Sequence, residues 1–265
     1  MRKGSVMGEQ TDVITFLGTG GARVVVARQI LASGGAWLDL GGIRILLDPG
    51  PGSIVQTTKR KLDPSQLDAI VLSHKHLDHA SDVNVMIEAM TDAARRRKGV
   101  LFAPSDALEG QDAVVFFYLR NLPERIEVLR EGGKYAIGDV VFETPVRHIH
   151  GVETYGFVFT TPRHTFSWVT DTRYFEGLAQ HYRGELLVIH VVRLEGGSPY
   201  DHLSLAEAKA LVMAIKPRAA ILTHFGRTVW AARPWELAQR LTEEVGVQVL
   251  AARDGMVFDL SKLDG

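Results

Sequence analysis

The segment HKHLDH, residues 74–79, places three histidines and one aspartate within six positions. His74 and His76 are two residues apart, so their side chains point to the same side if the chain is extended there. Asp78 and His79 are adjacent, and a turn into a following helix would bring both toward that side. Imidazole and carboxylate groups are the ligands that zinc and related metals take in proteins. The segment therefore predicts part of a metal site.

Three further candidate ligands follow apolar strand patterns in the second half of the chain. They are His150 after TPVRHI, Asp171 after FSWVT and His224 after ILT. Side chains at strand ends converge on one edge of a sheet, where α/β proteins place their sites. We expect these three side chains to join the histidine-rich segment. The stretch HIH leaves His148 open as an alternative to His150.

Composition narrows the function classes. The 265 residues are 46% hydrophobic and 23% charged, as in a soluble globular protein, and the formal net charge is -1. No global basic field is present to hold duplex nucleic acid, so we expect no stable nucleic-acid binding, and any nucleic-acid role must be local. The chain has no cysteine, which excludes disulfides, thiolate ligands and cysteine nucleophiles. No apolar run follows Arg2 and Lys3 and none approaches a membrane span, which favours a cytoplasmic protein.

Strand and helix patterns alternate along the chain. The strand patterns are 12–18, 36–48 with a turn at Gly41-Gly42, 67–73, 134–148, 154–161, 165–171, 185–192, 219–224 and a closing hairpin over 247–260. The helix patterns are 79–99 ended by Gly99, 204–215 with a Ser204–Glu207 capping box, and 234–245 with proline in its first turn. The two halves share an order of strands and then helix. We predict one domain over residues 1–265, an α/β fold with two sheets covered by helices in four layers.

HKHLDH resembles the signature of the metallo-β-lactamase superfamily, and FLGTGG, LLDPG and LTHFG extend this resemblance over nearly the whole chain. The resemblance implies an αββα sandwich of two similar halves, in the RNase Z-like or cyclic phosphodiesterase-like branch. It also implies a dinuclear site. The ligands would be His74, His76 and His150 for the first metal, Asp78, His79 and His224 for the second, and Asp171 as a bridge. Asp48 in LLDPG would orient a histidine ligand. The family's spacing of six residues before a glycine, here Gly156, selects His150 over His148.

Such a site would hold two divalent metal ions, with zinc favoured by the nitrogen-rich ligands and manganese or iron possible. Its residual positive charge would suit an anionic substrate, and a metal-bridging hydroxide would hydrolyse it. Asp78 and His202 are the candidate catalytic residues. His202 stands where RNase Z-like members carry a histidine that protonates the leaving oxygen. Those members also have a glutamate in an H-E-A-T segment, whereas this chain reads His190-Val191-Val192-Arg193. Arg227 is a candidate substrate contact.

The resemblance leaves several activities open. The absence of cysteine and the presence of His76 argue against the thiolate-bearing lactamases and the flavodiiron proteins. The twenty-residue spacing from His150 to Asp171 has no room for a tRNA-clamping arm, which favours a phosphodiesterase acting on small nucleotides or cyclic phosphates. A glyoxalase II-like thioester or lactone hydrolase is the alternative, and a metal-binding module without catalysis is another. The aromatic cluster at 116–118 either covers the site or packs beneath a helix.

Overall fold

The computed structural model describes residues 11–197 and 200–264 of the protein. The strands in this part of the chain are β1 Asp12–Phe16, β2 Ala36–Leu40, β3 Ile43–Leu47, β4 Ala69–Val71, β5 Val100–Ala103, β6 Arg125–Val128, β7 Gly133–Ile137, β8 Val140–Thr144, β9 Phe157–Thr160, β10 Thr165–Val169, β11 Leu186–His190, β12 Ala219–Thr223, β13 Gln248–Ala251 and β14 Val257–Asp259. The helices are α1 Ala22–Ala27, α2 Ser53–Lys59, α3 Leu77–Ala80, α4 Val83–Met90, α5 Ser105–Leu108, α6 Leu205–Ile215, α7 Arg227–Ala231 and α8 Pro234–Val245. The segment 1–10, where the sequence predicts no signal peptide, lies outside the described residues.

The strands form two seven-stranded sheets with the same internal plan. The first has the order β14-β1-β2-β3-β4-β5-β6, and the second has the order β13-β12-β11-β10-β9-β8-β7. In the first sheet β1 to β3 are antiparallel, and β3 to β6 are parallel. In the second sheet β7 to β10 are antiparallel, and β10 to β13 are parallel. This repeated order confirms the predicted two similar halves.

The layers follow from the alternation of side chains along each strand. In β11, Leu186 and Val188 belong to the apolar core between the two sheets, while Leu187 and Ile189 pack outward beneath α6 and α8. A third core lies between the first sheet and α4. The inner core joins the halves directly, as the rings of Phe16 and Trp168 show with centroids 5.7 Å apart. The result is the predicted four-layer αββα sandwich.

Local signals in the sequence are realised at several element ends. The turn Gly41-Gly42 joins β2 and β3 with φ values of 60° and 88°, and Leu40 pairs directly with Ile43. Two successive positive φ angles are the geometry of a two-residue hairpin turn that favours glycine. The predicted capping box of α6 is present, because the Ser204 side chain accepts from the Glu207 N–H and the Glu207 side chain accepts from the Ser204 N–H.

The prediction of one helix over 79–99 was wrong. The segment forms the short helix α3 and the separate helix α4, which ends at Met90. Asp92, Ala93 and Ala94 then take positive φ angles of 56°, 55° and 60°. L-residues in this left-handed region cannot continue a right-handed helix. Apolar periodicity over 83–90 was therefore extended too far into residues that form turns.

The prediction of a closing hairpin over 247–260 was also wrong. β13 pairs with β12 in the second sheet, whereas β14 pairs with β1 in the first. The two strands never pair with each other, because the chain crosses from one sheet to the other between them. The Ala252 N–H donates to the Leu222 carbonyl, and three residues later the Gly255 N–H donates to the Phe16 carbonyl. Short strands separated by a glycine carry no information about which sheet each one joins.

No helix in the described part of the chain is long and apolar enough to cross a lipid bilayer.

Candidate metal centre

The predicted site residues lie at one edge of the sandwich, where strands of both sheets end. Asp48 and the HKHLDH segment follow β3 and β4, which are parallel neighbours in the first sheet. Asp171 and His224 follow β10 and β12 of the second sheet, and β11 ends between them at His190. A bridge between Gly20 and Phe225 joins the two halves at this edge. The topology therefore brings together ligands from positions 150 residues apart in sequence.

His74, His76 and His150 form one cluster, in which each offers a ring nitrogen within 4.8 Å of the others. His76 Nδ1 and His150 Nε2 are 3.0 Å apart. His150 Nδ1 donates to the Asp201 carbonyl at 2.9 Å, so its Nε2 carries a lone pair in the neutral ring. Two nitrogens of one tetrahedral zinc lie about 3.3 Å apart, given bonds of about 2.0–2.1 Å. The spacing of this pair is close to that value.

Asp48 connects the two histidine groups through Ser73. Its Oδ1 accepts the Ser73 N–H at 2.6 Å, and its Oδ2 accepts the Ser73 hydroxyl at 2.7 Å. The same Oδ2 lies 2.8 Å from His79 Nδ1, and Ser73 Oγ lies 2.9 Å from His74 Nδ1. These contacts occupy the outer nitrogen of each ring and turn the Nε2 atoms of His74 and His79 toward the interior of the site. The predicted orienting carboxylate thus lies directly behind a candidate ligand.

A second cluster contains Asp78, His79, Asp171 and His224. Asp171 Oδ2 lies 3.5 Å from both His79 Nε2 and His224 Nε2. Asp78 Oδ2 lies 3.5 Å from His224 Nε2 and 3.9 Å from His79 Nε2. These contacts are too long for good hydrogen bonds, but they match the separations of donor atoms around a shared metal. The structure therefore brings together all the residues predicted for the second metal.

The donor atoms fit divalent cations. The Nε2 atoms of His74, His79 and His224 are buried and have no hydrogen-bond partner among the described residues. A buried polar nitrogen without a partner costs about 1–3 kcal/mol, and native proteins rarely leave one unexplained. Three such atoms converge on one region beside two carboxylates. Metal coordination would satisfy all three.

The pKa shifts of the clustered histidines and carboxylates also indicate a site that attracts cations. Burial lowers the pKa of His76 to about 4 and that of His74 well below its ordinary value, so both rings are neutral and keep a lone pair. Burial alone would also lower the pKa of His224, but the carboxylate of Asp171 outweighs it and raises the pKa to about 9. Burial would raise the pKa of Asp171, yet the neighbouring His224 and His190 hold it well below the usual range. The carboxylates thus attract positive charge, which protons or metal ions can supply.

His190 belongs to the site although the sequence interpretation did not include it among the ligands. It offers a ring nitrogen within 4.8 Å of the ligand atoms of His79, Asp171 and His224, and its Nδ1 lies 3.0 Å from Asp171 Oδ1. The Trp168 indole N–H donates to His190 Nε2 at 3.0 Å, which leaves the ring proton on Nδ1 to donate to Asp171. Both nitrogens are thereby used, so His190 orients the Asp171 carboxylate. Its position at the end of β11, between the strands that carry Asp171 and His224, was the signal that could have identified it.

His148 lies outside the cluster. Its ring is buried, with Nε2 2.5 Å from the Tyr182 hydroxyl and Nδ1 3.1 Å from the Asp171 carbonyl. These contacts point it away from the ligand atoms and against the backbone that carries Asp171. Of the two histidines in HIH, the structure brings only His150 into the cluster.

His202 reaches the site from a separate loop that precedes α6. Its Nε2 lies 3.3 Å from Asp171 Oδ2, and it groups with His150 and Asp171 within 4.8 Å. Arg227 begins α7, three residues after His224, and is exposed. Its side chain makes no hydrogen bond or ion pair with any residue the structure describes. The structure thus joins His202 to the cluster and leaves Arg227 on the surface beside it.

The glycine-rich GTGGA segment packs against the second cluster. A Cβ on Gly21 would lie 2.2 Å from the His224 ring, so only glycine fits there without moving that ring. The next N–H, from Ala22, donates to Asp78 Oδ2 at 3.1 Å. His224 itself has a φ of 58°, an uncommon conformation for a non-glycine residue. This turn therefore shapes the space that His224 and Asp78 occupy.

A network of hydrogen bonds holds the loop after β5, which contains the one-turn helix α5, near HKHLDH. The Glu153 Oε2 accepts from the Ser105 N–H at 3.0 Å and from the Ser105 hydroxyl at 2.5 Å, and the Tyr155 hydroxyl donates to Oε1 at 2.7 Å. Lys75 Nζ lies 3.6 Å from Asp106 Oδ2 in the same loop. Further along the segment, the aromatic cluster at 116–118 has exposed fractions of 52%, 82% and 68%, so it does not pack beneath a helix.

Comparisons with known proteins agree with this geometry. A family model described as the beta-lactamase superfamily domain matches residues 43–225. The uncharacterized protein MJ1374 of Methanocaldococcus jannaschii is 29% identical over 93% of this chain and 94% of its own length. Ribonuclease Z of Methanopyrus kandleri is 27% identical over 71% of this chain, which covers 62% of that enzyme. The crystal structure of the metallo-beta-lactamase fold protein YhfI from Bacillus subtilis superposes with a TM-score of 0.77 at 18% identity, over 94% of this chain and 99% of that one.

Proposed function

Because the chain belongs to the beta-lactamase superfamily and is a metal-dependent hydrolase of the RNase Z-like branch, we propose that it hydrolyses a phosphodiester in a small nucleotide or cyclic phosphate. His74, His76 and His150 would hold one divalent cation, and Asp78, His79 and His224 would hold a second, with Asp171 between them. Two bound cations would lower the pKa of a water molecule and polarise the phosphoryl oxygens. Zinc is the favoured ion, since most of the ligands are imidazoles.

The chain's own side chains provide the remaining chemistry. Asp48 and His190 fix the orientation of His79 and Asp171 through their hydrogen bonds. Asp78 is held by the Ala22 N–H beside His224. His202 Nε2 faces the centre and lies 3.3 Å from Asp171 Oδ2, within reach of a group that leaves from the centre. His202 can therefore donate a proton to a departing oxygen.

The position of His202 is the single observation that carries the choice of an oxygen leaving group over a thiolate. A thiolate leaves without help, because its conjugate thiol has a pKa of about 8.5. An alkoxide is far more basic and must be protonated as it leaves, which makes a positioned acid worth roughly 10²–10⁴-fold. A histidine beside Asp171, on a loop separate from the other ligands, therefore supports an oxygen leaving group. The RNase Z relative supports the same class of bond.

The experiment compares His202→Ala with the unmodified protein, both loaded with Zn²⁺ or Mn²⁺. The substrates are bis-p-nitrophenyl phosphate, a 2′,3′-cyclic nucleotide, a thioester and a lactone. We expect hydrolysis of the phosphodiesters, and a larger loss in the variant on the cyclic nucleotide than on the p-nitrophenyl ester. Activity on the thioester and lactone alone would reject the proposal in favour of a glyoxalase II-like enzyme.

Metal content must be measured for both proteins, since His202 also groups with His150 and Asp171. An unchanged content near two per chain supports an acid, whereas the loss of one metal would make His202 a ligand. Two metals without turnover on any substrate would identify a metal-binding module. The proposal also keeps one domain over 1–265, a cytoplasmic location and a small anionic substrate without stable nucleic-acid binding.

A further inference from the structure

Arg193 contacts the backbone of His202 directly. It is the last residue of the HVVR stretch, and its side chain is only 12% exposed. Its Nε donates to the His202 carbonyl at 2.9 Å, and its Nη2 donates to the same oxygen at 2.5 Å. The planar guanidinium presents its donors in a fixed fork, so two bonds to one oxygen define the position of that carbonyl closely. The arginine therefore holds the peptide group from which His202 projects.

The same arginine is built into the start of α6. Its N–H donates to the Leu203 carbonyl, and its carbonyl accepts from the Leu205 N–H, so it pairs on both sides of Ser204. Its Nη2 lies 3.5 Å from Glu207 Oε2, the carboxylate that accepts the Ser204 N–H at 2.6 Å. The end of β11, the capping box and the His202 carbonyl thus form one connected unit.

The residue before His202 is held by His150, one of the candidate metal ligands. The carbonyl of Asp201, the preceding residue, accepts from His150 Nδ1 at 2.9 Å. The Asp201 carboxylate accepts from Arg173 Nε at 2.8 Å. Two successive carbonyls are therefore fixed, that of Asp201 by His150 and that of His202 by Arg193. Only the imidazole of His202 is left to extend toward Asp171.

We propose that Arg193 is a positioning residue for proton donation by His202. This inference rests on the proposed function. The RNase Z-like pattern has a glutamate in its H-E-A-T segment, whereas here the comparable stretch has an arginine that holds the histidine through its backbone. The arginine contacts neither the clustered ligand atoms nor the space between them. Its effect is on where the acid lies.

The test uses Arg193→Met, which keeps much of the side-chain length but removes the donors, and Arg193→Lys, which keeps the charge without the fork. Both are assayed as full-length, Zn²⁺-loaded proteins on phosphodiesters with p-nitrophenol and with alkyl leaving groups. For Arg193→Met we expect kcat on the alkyl ester to fall roughly 10–100-fold, less than the roughly 10²–10⁴-fold attributed to a positioned acid, because the imidazole is displaced and not removed. We expect kcat on the p-nitrophenyl ester to change less than about threefold, because p-nitrophenolate leaves unaided. KM and metal content should stay the same, and Arg193→Lys should recover only part of the loss.

Arg120→Met is the matched control. The Arg120 guanidinium also donates to backbone carbonyls, those of Leu108 and Val115, but in the loop after β5. It should lower stability without making the loss depend on the leaving group. The double variant His202→Ala/Arg193→Met should be no slower than His202→Ala on the alkyl ester, because the arginine has no acid left to position.

The outcomes separate the two proposals. If His202→Ala shows no dependence on the leaving group, the acid role itself fails. If His202→Ala shows that dependence and Arg193→Met does not, only the positioning role of Arg193 is rejected. Additive losses in the double variant would also reject it, as would a loss in Arg120→Met with the same dependence on the leaving group.

Discussion

Replacing Asp48 with asparagine tests whether the buried carboxylate behind His79 prepares that ring for a metal. Asp48 accepts three hydrogen bonds, from the Ser73 N–H, the Ser73 hydroxyl and His79 Nδ1, at 2.6, 2.7 and 2.8 Å. In Asp48→Asn the amide oxygen can keep the Ser73 N–H, but the amide NH₂ then faces two donors. His79 must rotate or move its proton to Nε2, the nitrogen that the structure leaves without a partner.

The magnitude follows from these bonds. Loss of an outer partner of a ligand histidine costs about 10–100-fold in metal affinity, or about 1.4–2.7 kcal/mol. Loss of charge-assisted hydrogen bonds costs about 1.5–3 kcal/mol of folding stability. We expect the Zn²⁺ affinity of Asp48→Asn, measured by competition with a chromophoric chelator, to be about 10–100-fold weaker than that of the unmodified protein. Denaturant unfolding of the metal-free proteins measures the loss of folding stability.

Asp12→Asn supplies a matched control at the opposite edge of the first sheet. Asp12 is also buried, with Oδ2 2.6 Å from His164 Nδ1 and accepting the Thr161 hydroxyl at 2.6 Å. It should lose comparable stability and keep its affinity for Zn²⁺. Equal affinity in Asp48→Asn and the unmodified protein, at full folding, would refute the idea that Asp48 orients a ligand.

Three further predictions concern the same edge of the molecule. Gly21→Ala should lower Zn²⁺ affinity about tenfold or more, because its Cβ would displace the His224 ring, whereas Gly151→Ala has open space and should not; equal affinities in titration would contradict this. Removing both metals with a chelator should lower Tm by roughly 10–20 °C, since each ion at about 100 times its Kd contributes about 2.7 kcal/mol, and Zn²⁺ should restore it; an unchanged Tm in calorimetry would argue against metal binding. Burial would raise the pKa of Glu153, but its hydrogen bonds from Ser105 hold that pKa below the ordinary 4.5. The ionised carboxylate therefore stabilises the fold at neutral pH, and this contribution is lost as the pH falls below about 4.5. The Tm difference between Glu153→Gln and the unmodified protein should therefore shrink from pH 7 to pH 3, and a constant difference would contradict the ionic contribution.

The sequence predicted those features that local chemistry determines. The Gly41-Gly42 hairpin, the capping box at Ser204 and the proline start of α8 each depend on a few adjacent residues, and each is present. The repeated order of elements predicted two similar halves, which the sheets confirm. By contrast, the partners of β13 and β14 depend on where the chain crosses between sheets, and periodicity cannot report that. α4 ends at Met90 because the residues that follow take positive φ angles, and no glycine or proline at these positions indicates this in the sequence.

For the site, spacing within HKHLDH identified the candidates, and the fold brings them together with His150, Asp171 and His224. What the sequence could not provide is the partner of each outer ring nitrogen. His74 and His79 use Nδ1 for Ser73 and Asp48 and leave Nε2 unpaired. His148 and His190 have partners at both nitrogens, and their neutral rings have no lone pair to spare.

This difference separates residues that can bind a metal from residues that support the binding ones, although all four are buried histidines at the same edge. It also explains why the stretch HIH is ambiguous as a sequence. Its two histidines are two residues apart, so an extended chain would point both to the same side, and the contacts of Tyr182 and Asp201 distinguish them. The hydroxyl of Tyr182 engages Nε2 of His148, whereas the Asp201 carbonyl takes the proton on Nδ1 of His150 and leaves its Nε2 facing His76. These two contacts come from residues 34 and 51 positions further along the chain, so the physical cause of the difference lies outside the motif. The spacing to Gly156, taken from the family resemblance, points to the same histidine but does not explain it.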